Sequence, residues 1–214
     1  MDILKKEIAI LRRCSGFKEI EKQLQTINKL IVTNYIFELS NGVRIYPIEV
    51  EAYFKHSKFN DEFVHGNELQ RDNYGRFYVH RTGLTKESKF KGGTRGGIDI
   101  CLSDSVDLYY GILIRSAKFD DGTIKFGPNN VLKFILEDKR VDYSTLEGEF
   151  VLKEAVEAQS EYVPAYAVGE IKQAVKEALE NADEDDVILA FGSLSYLGKV
   201  KEAVEKEQDK RQMY

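Results

Sequence analysis

The sequence is poor in the residues that build cross-linked or metal-bound folds. It has two cysteines, Cys14 and Cys101, and three histidines among its 214 residues. Two cysteines imply neither a disulfide framework nor a cysteine-based zinc site, and the scattered histidines match no zinc-binding motif. We therefore expect a protein of the cytoplasm with no metal constellation.

Several longer signals are also missing. No run approaches the roughly 18 apolar residues of a membrane span, and the segment MDILKKEIAILRR has charges on both sides of a short apolar patch, unlike a signal peptide. No glycine-rich loop leads into Gly-Lys-Ser/Thr, so an ATP-binding P-loop is excluded. The serines of FGSLSYLG lack the spacing of a nucleophile elbow. We expect a soluble protein with no membrane partner.

Charge is distributed unevenly along the chain. The net charge is −5, but residues 1–152 have a balance of +1 and residues 153–214 a balance of −6. A nucleic-acid binder normally shows a basic face, which the whole chain lacks and the first two-thirds do not exclude. We place a domain boundary near residues 150–155, giving units 1–152 and 153–214.

Hydrophobic periodicity predicts an α+β fold. Apolar residues recur at three- and four-residue spacing through the first thirty positions, with a break near residues 15–16, which indicates helices. From Ile31 the pattern alternates, and SNG separates two strands of a hairpin, the second with Pro47 at an edge or bulge. Further strands are GRFYVHR, IDICLS, LYYGILIRSAKF and GTIKF, followed by a helix in GPNNVLKFILE. For residues 153–214 the pattern predicts a helix, a strand (residues 187–191) and a second helix.

The stretch IEVEAYFKHSKFNDEFVH concentrates groups that could do acid–base chemistry. Glu49 and Glu51 have the same parity on a strand and share a face. They could form a catalytic carboxylate site or simply a solvated face. Asp61 and His65 could lie on one side of a helical turn, with the acid orienting the imidazole, or could be an incidental surface pair.

Two further stretches carry candidate binding residues. Tyr78 and His80 alternate on a strand and should share a face. The loop KFKGGTRGG holds four glycines and the cations Lys89, Lys91 and Arg95, a composition that suits a phosphate but also an ordinary flexible loop.

Taken in order, these motifs resemble the alkyladenine (3-methyladenine) DNA glycosylase family. The resemblance covers about residues 30–152 and rests on VEAYFKHSKFNDEFVH, GRFYV, GIDICLS, GILIRSAKF and GPNNVLKFIL. It implies a curved, mainly antiparallel sheet after N-terminal helices, and excision of a modified purine from damaged or single-stranded DNA. Such enzymes extrude the nucleotide from the stack before acting on it.

The resemblance also implies residue roles. Glu51 would be the general base that activates water, and Arg115 would assist it. No metal or nucleotide cofactor would be needed, because an alkylated purine is already a good leaving group. The loop with Lys89, Lys91 and Arg95 is inserted where the family has a tighter connection, and if the chain is such an enzyme this loop would contact phosphate.

Five residues would line the base pocket under the same resemblance. They are Tyr53, His65, Tyr78, His80 and Asp99. His80 stands where the family has a second aromatic residue, and Asp99 stands where it has an asparagine that reads the base. No tyrosine follows the GRFYVHR strand to act as a wedge, so the sequence shows no residue that would insert between the base pairs of a duplex.

Residues 153–206 resemble the C-terminal end of folylpolyglutamate synthases, through an aspartate-rich turn, DVILAFGSL and a Gly-x-Val helix. The P-loop and central domain of those ligases are missing, so no ligase activity is implied. Two other functions remain open from the sequence. The chain could be a non-catalytic nucleic-acid or nucleotide binder on the same fold, or an interaction protein that uses its acidic C-terminal helices.

Overall fold

The computed structural model describes residues 2–57, 59–154, 175–176, 178–180 and 200–207. The chain divides into two compact units, Met1–Val163 and Pro164–Tyr214. The described residues of the second unit are all helical, and its predicted strand at residues 187–191 lies outside them.

The first unit is α+β, with helices at both ends of a strand-rich middle. Its helices are α1 (Asp2–Leu11), α2 (Phe17–Asn34), α3 (Pro128–Lys133) and α4 (Tyr143–Leu146), with 3-10 turns at Glu68–Gln70 and Gly93–Arg95 and a π-helical turn at Phe134–Asp138. Its strands are β1 (Tyr35–Glu38), β2 (Arg44–His56), β3 (Phe59–Asn60), β4 (Arg76–Val79), β5 (Ile98–Cys101), β6 (Tyr109–Phe119), β7 (Ile124–Phe126) and β8 (Val151–Glu154).

These eight strands form one curled, antiparallel half-barrel sheet. The main order is β4-β5-β6-β2-β1-β8, with β3 paired to β2 and β7 paired to β6. The long strands β2 and β6 pair from Ile45↔Phe119 to Lys55↔Tyr109 and form the spine of the sheet. The composition of the site depends on this pairing, because the register sets which side chains share a face of the sheet.

The helical prediction for the N-terminal region is confirmed, but the second helix is longer than expected. Ile20, Ile27 and Ile31 are all buried on one face of α2, at the spacing of an amphipathic helix. Ile31 therefore continues the helix instead of opening a strand, and β1 begins only at Tyr35. Within the described residues, none of the helices combines the length and apolar character needed to cross a membrane.

The predicted hairpin is present, and Pro47 lies at a bulge. Gly42 adopts φ 86° in the turn between β1 and β2, a conformation that glycine tolerates best. The β2–β6 register shifts between Pro47 and Glu49 and again between Glu49 and Val50. Since β2 lies inside the sheet, between β1 and β6, the proline is accommodated by this irregularity and not by an edge position.

The two faces of the sheet differ in character. One face is apolar and belongs to the hydrophobic core, together with the buried sides of α1, α2 and α3; its members include Phe54, Phe77, Val79, Ile98, Ile100, Ile112 and Ile114. Residues of opposite parity point to the other face. That second face carries most of the residues singled out from the sequence.

Candidate functional site

Four paired strands place candidate side chains in one row. Glu51 on β2 is opposite Leu113 on β6, which is opposite Asp99 on β5, which is opposite Tyr78 on β4. Directly opposed residues of a sheet project from the same face. Residues that are distant in sequence are therefore neighbours on the side of the sheet that faces away from the core.

A cavity opens on this face. Its volume is about 180 Å³, and it is lined by Tyr53, Phe63, His65, Gln70, His80 and Asp99. At roughly 30 Å³ per water molecule, this space is smaller than the pockets of about 300–1,000 Å³ that hold drug-sized ligands. It suits a single planar heterocycle or a group of similar size.

Asp99 is the centre of the polar network in the cavity wall. It is 2% exposed, and its two carboxylate oxygens are 2.7 Å from Nε2 of His80 and 3.0 Å from Nε2 of Gln70. An ionised carboxylate only accepts hydrogen bonds, so both nitrogens donate to it. The network therefore sets the tautomer of His80 and the orientation of the Gln70 amide.

His65 lies beside this network and faces a cation. Its ring centroid is 4.4 Å from that of His80, and Nζ of Lys91 donates to its Nε2 at 2.8 Å. Burial, followed by the neighbouring His80, lowers the pKa of His65 to about 4, against a smaller opposing effect of Asp99. His65 is therefore neutral near pH 7, with the proton on Nδ1, which is buried and has no partner among the described residues.

Of the two alternatives for Asp61 and His65, the one in which the acid orients the imidazole across a helical turn is wrong. Residues 61–65 form a turn and not a helix, and Asp61 instead accepts hydrogen bonds from the backbone N–H groups of Phe54 and Phe63 at 3.2 and 2.9 Å. Backbone amides close to a short acidic side chain compete well for it. The carboxylate thus holds the turn against β2, and Lys91 takes the place beside the imidazole.

Two glycines make room for the network. A Cβ at Gly97 would lie 3.1 Å from Cε1 of His80, and a Cβ at Gly111 would lie 3.1 Å from Oδ2 of Asp99. Both separations are tighter than ordinary van der Waals contact, so larger residues would displace the imidazole or the carboxylate. The absence of side chains at these positions is part of how the site is built.

Glu51 and Arg115 form an ion pair next to the cavity. Nη1 of Arg115 is 2.6 Å from Oε2 of Glu51, and its Nε is 3.4 Å from Oε1 of Glu49. Both carboxylates therefore reach one guanidinium, although the register shift between Glu49 and Val50 interrupts the strand alternation between them. Burial and the charge of Glu51 raise the pKa of Tyr53 far above its ordinary value, so the phenol stays protonated between the ion pair and the cavity.

Tyr78 is fully buried behind the cavity wall. Its ring lies 6.0 Å from the ring of His65 and 5.9 Å from that of His80, and its hydroxyl accepts a hydrogen bond from the backbone N–H of Arg81 at 3.1 Å. Burial raises the pKa of Tyr78 to about 12. It supports the two imidazoles but does not line the cavity.

The cations of the glycine-rich loop have different positions. Lys91 is half-buried against His65, and burial lowers its pKa, whereas Lys89 and Arg95 are exposed. The loop is anchored by buried Arg81, which donates to the carbonyl of Lys86 at 3.1 Å and pairs with Glu147 through Nη1 and Nη2. Of the three cations in this loop, only Lys89 and Arg95 are therefore exposed to solvent.

The structure corrects the expectation that the histidines are scattered. Among the residues described, His65, His80 and Asp99 offer ligand atoms that all lie within 4.8 Å of one another, and two imidazoles with a carboxylate are a set that transition metals accept. These groups already bond to one another or to Lys91, whose positive charge opposes a second cation. We therefore interpret them as a hydrogen-bonded network.

Two cavity residues were missed from the sequence. Gln70 belongs to a polar, irregular stretch with no periodicity to place it. Phe63 was visible only as part of DEFVH. Phe63 is 78% exposed and also lines a neighbouring groove of about 570 Å³ that includes Glu51 and Phe17. It therefore stands at the boundary between the cavity and the groove.

Comparison of the chain with protein-family models, with curated proteins and with solved structures finds no match in any of the three.

Proposed function

We propose that this chain hydrolyses the N-glycosidic bond of a modified purine in DNA, with the cavity as the base site and Glu51 as the general base. One observation carries the proposal. Phe63 lines both the cavity and the groove, and Glu51 lines the groove. A base inserted in the cavity would leave its sugar at this boundary, within reach of Glu51.

The chemistry needs one water molecule and one proton acceptor. The water oxygen attacks the anomeric carbon of the sugar while the bond from that carbon to the base nitrogen breaks. The electron pair leaves with the base, and Glu51 takes a proton from the water. Arg115, paired with Glu51 at 2.6 Å, would hold the carboxylate in place, and a general base of this kind contributes roughly 10²–10⁴ in rate.

The fold supports the same proposal. A curled antiparallel sheet with N-terminal helices on its apolar face is what the resemblance to the alkyladenine DNA glycosylase family implies for residues 1–152. Four of its five implied pocket residues line the cavity: Tyr53, His65, His80 and Asp99. We also propose that residues 153–214 form an α/β appendage. The helix at residues 200–207 supports this.

The test is release of free base from an oligonucleotide that contains an alkylated purine, separated by chromatography. We expect Glu51→Gln to lower the release rate by at least about 100-fold. Glu49→Gln is the matched control, because Glu49 contacts the same guanidinium at 3.4 Å but lies farther from it. Equal rates for wild type and Glu51→Gln would reject Glu51 as the base.

A second candidate is a non-catalytic binder of a nucleobase, a nucleotide or single-stranded nucleic acid. Asp99 favours it, because His80 and Gln70 already occupy both of its carboxylate oxygens, whereas the family that the chain resembles has an asparagine there that reads the base. No tyrosine wedge follows the GRFYVHR strand to pry a base out of a duplex. Binding to the oligonucleotide without release of base by the wild type would establish this candidate and exclude the enzyme.

A further inference from the structure

Gln70 is the most deeply buried polar side chain of the cavity with an unused atom. It is 2% exposed, and its Oε1 has no hydrogen-bond partner among the described residues. Leaving a buried acceptor unpaired destabilises a protein, so such an atom calls for an explanation. Its position in the wall of a cavity suggests that a ligand supplies the partner.

The orientation of this acceptor is determined by its neighbours. Because Asp99 can only accept, the NH₂ group of Gln70 must face it, and Oε1 must take the opposite position. The backbone is equally constrained: Gln70 closes a 3-10 turn capped by Asn67, whose side chain donates to the carbonyls of Gly83 and Thr85 at 2.8 and 2.9 Å. The position of Oε1 is therefore fixed, and we take a ligand in the cavity that Gln70 lines to be the partner that this atom lacks.

His65, which also lines the cavity, has an unused donor. Lys91 donates to Nε2 of His65, which leaves the proton of the neutral ring on Nδ1, and that buried atom has no partner within the described part of the chain. A ligand that satisfies both atoms must bring one donor for Gln70 and one acceptor for His65.

We infer that Gln70 determines which heterocycle the cavity accepts, by taking a hydrogen bond from an N–H or exocyclic amino group that neighbours a ring acceptor. Two kinds of base share this chemistry: the amidine edge of an adenine-type base and the lactam edge of a hypoxanthine-type base. The inference rests on the proposed function, since it takes the cavity to be the base site. It adds a residue that neither the motifs nor the resemblance had pointed to.

The test uses 9-methylated bases as probes, with calorimetry on the full-length protein, because the methyl group stands where the sugar is attached and removes the N9–H of a free base. 9-Methyladenine and 6,9-dimethylpurine have the same shape, but a methyl group replaces the amino group in the second, which then has no N–H. We expect 9-methyladenine or 9-methylhypoxanthine to bind at least about tenfold more tightly than 6,9-dimethylpurine, the typical effect of stranding a buried acceptor. 9-Methyladenine and 9-methylhypoxanthine then distinguish the amidine edge from the lactam edge. If neither binds more tightly than 6,9-dimethylpurine, the inference is overturned.

A variant pair assigns the effect to Gln70. Gln70→Met keeps the length of the side chain and removes Oε1, so the ratio of affinities should fall below about threefold. Gln25→Met, on a residue that lines the groove but not the cavity, should leave the ratio unchanged. An unchanged ratio in Gln70→Met would overturn the inference, and the wild-type comparison stands even if this variant does not fold.

Failure of the inference about Gln70 and failure of the proposed glycosylase activity give different results. A wild type that releases base from DNA but binds the three probes equally loses the inference and keeps the proposed function. A wild type that discriminates the probes but releases no base keeps the role of Gln70 in binding and loses the enzyme.

Discussion

Two consecutive residues, His80 and Arg81, belong to buried polar clusters of opposite character. Around Arg81, donors and acceptors are matched: the guanidinium pairs with Glu147 and also donates to the carbonyls of Val79 and Lys86. Around His80 the network leaves Gln70 Oε1 and His65 Nδ1 without partners in the part of the chain that the structure describes. A cluster that satisfies its own groups serves the fold, whereas one with preorganised, unpaired groups in a cavity is suited to a ligand.

We expect the largest loss in the free energy of unfolding when the partner of Arg81 is removed. Glu147→Ala would leave the Arg81 side chain, which is 5% exposed, as a buried charge without its partner, and removing one member of such a pair costs about 3–5 kcal/mol. Urea unfolding measures the change. Glu149→Ala is the control, since that carboxylate is 78% exposed in its pair with Arg76 and should contribute about 1 kcal/mol or less. Similar losses for both would contradict the distinction.

We expect a smaller loss of stability when a side-chain atom is added beside the carboxylate of Asp99. Gly111→Ala places a Cβ 3.1 Å from Oδ2 of Asp99, and we expect this overpacking to cost about 1–3 kcal/mol. Gly92→Ala is the control, because a Cβ there meets nothing within 4 Å. Thermal unfolding of the two variants compares them. If Gly111→Ala is as stable as the wild type, the carboxylate is held less rigidly than its hydrogen bonds imply.

A smaller effect should appear in the pH dependence of stability. His65 has a pKa of about 4 in the folded chain against 6.5 as the ordinary value, so the unfolded state binds more protons between these values. The stability that neutral His65 confers is therefore complete above pH 6.5 and is lost as the pH falls towards 4. Unfolding free energies of wild type and His65→Gln across this interval should converge at the acid end. A constant difference at all pH values would argue against a neutral, buried imidazole.

The smallest effect on stability should come from Phe63. Its ring is 78% exposed, so Phe63→Ala should change the free energy of unfolding by about 0.5 kcal/mol or less. Base release should nevertheless fall by roughly tenfold, because stacking on an aromatic ring contributes about 1–3 kcal/mol per base. Phe17→Ala removes a ring that is 67% exposed and lines the groove but not the cavity, and should leave release unchanged. Equal loss in the two variants would assign the effect to the groove.

Much of the fold was predictable because periodicity reports burial. The alternation in β2 and β6 and the helical spacing of Ile20 and Ile27 each follow from one face being packed. The end of α2 was placed too early, since Ile31 satisfies both periods and only the packing of α2 decides between them. Pro47 was predicted at an edge or a bulge, and strand order, which no local pattern reveals, selects the bulge.

The candidate site was predictable in part. Glu51, Tyr53 and Asp99 lie on strands and His80 directly follows β4, so parity determines the face of each, and the register then brings them together. His65 and Gln70 lie in an irregular stretch whose position depends on hydrogen bonds such as those of Asn67 to residues 83 and 85. No sequence pattern specifies such contacts, which is why the partner of His65 was misassigned and Gln70 was overlooked.

The cavity lined by Asp99, and not the neighbouring groove, is the site that we propose for the nucleobase. A crystal structure of the protein soaked with 9-methyladenine distinguishes the two positions. We expect the base in the cavity next to Phe63, with its amino group on Oε1 of Gln70 and a ring nitrogen on Nδ1 of His65. A base bound only in the groove between Phe17 and Glu51, or no ordered base at saturating concentration, would show that the cavity is not a base site.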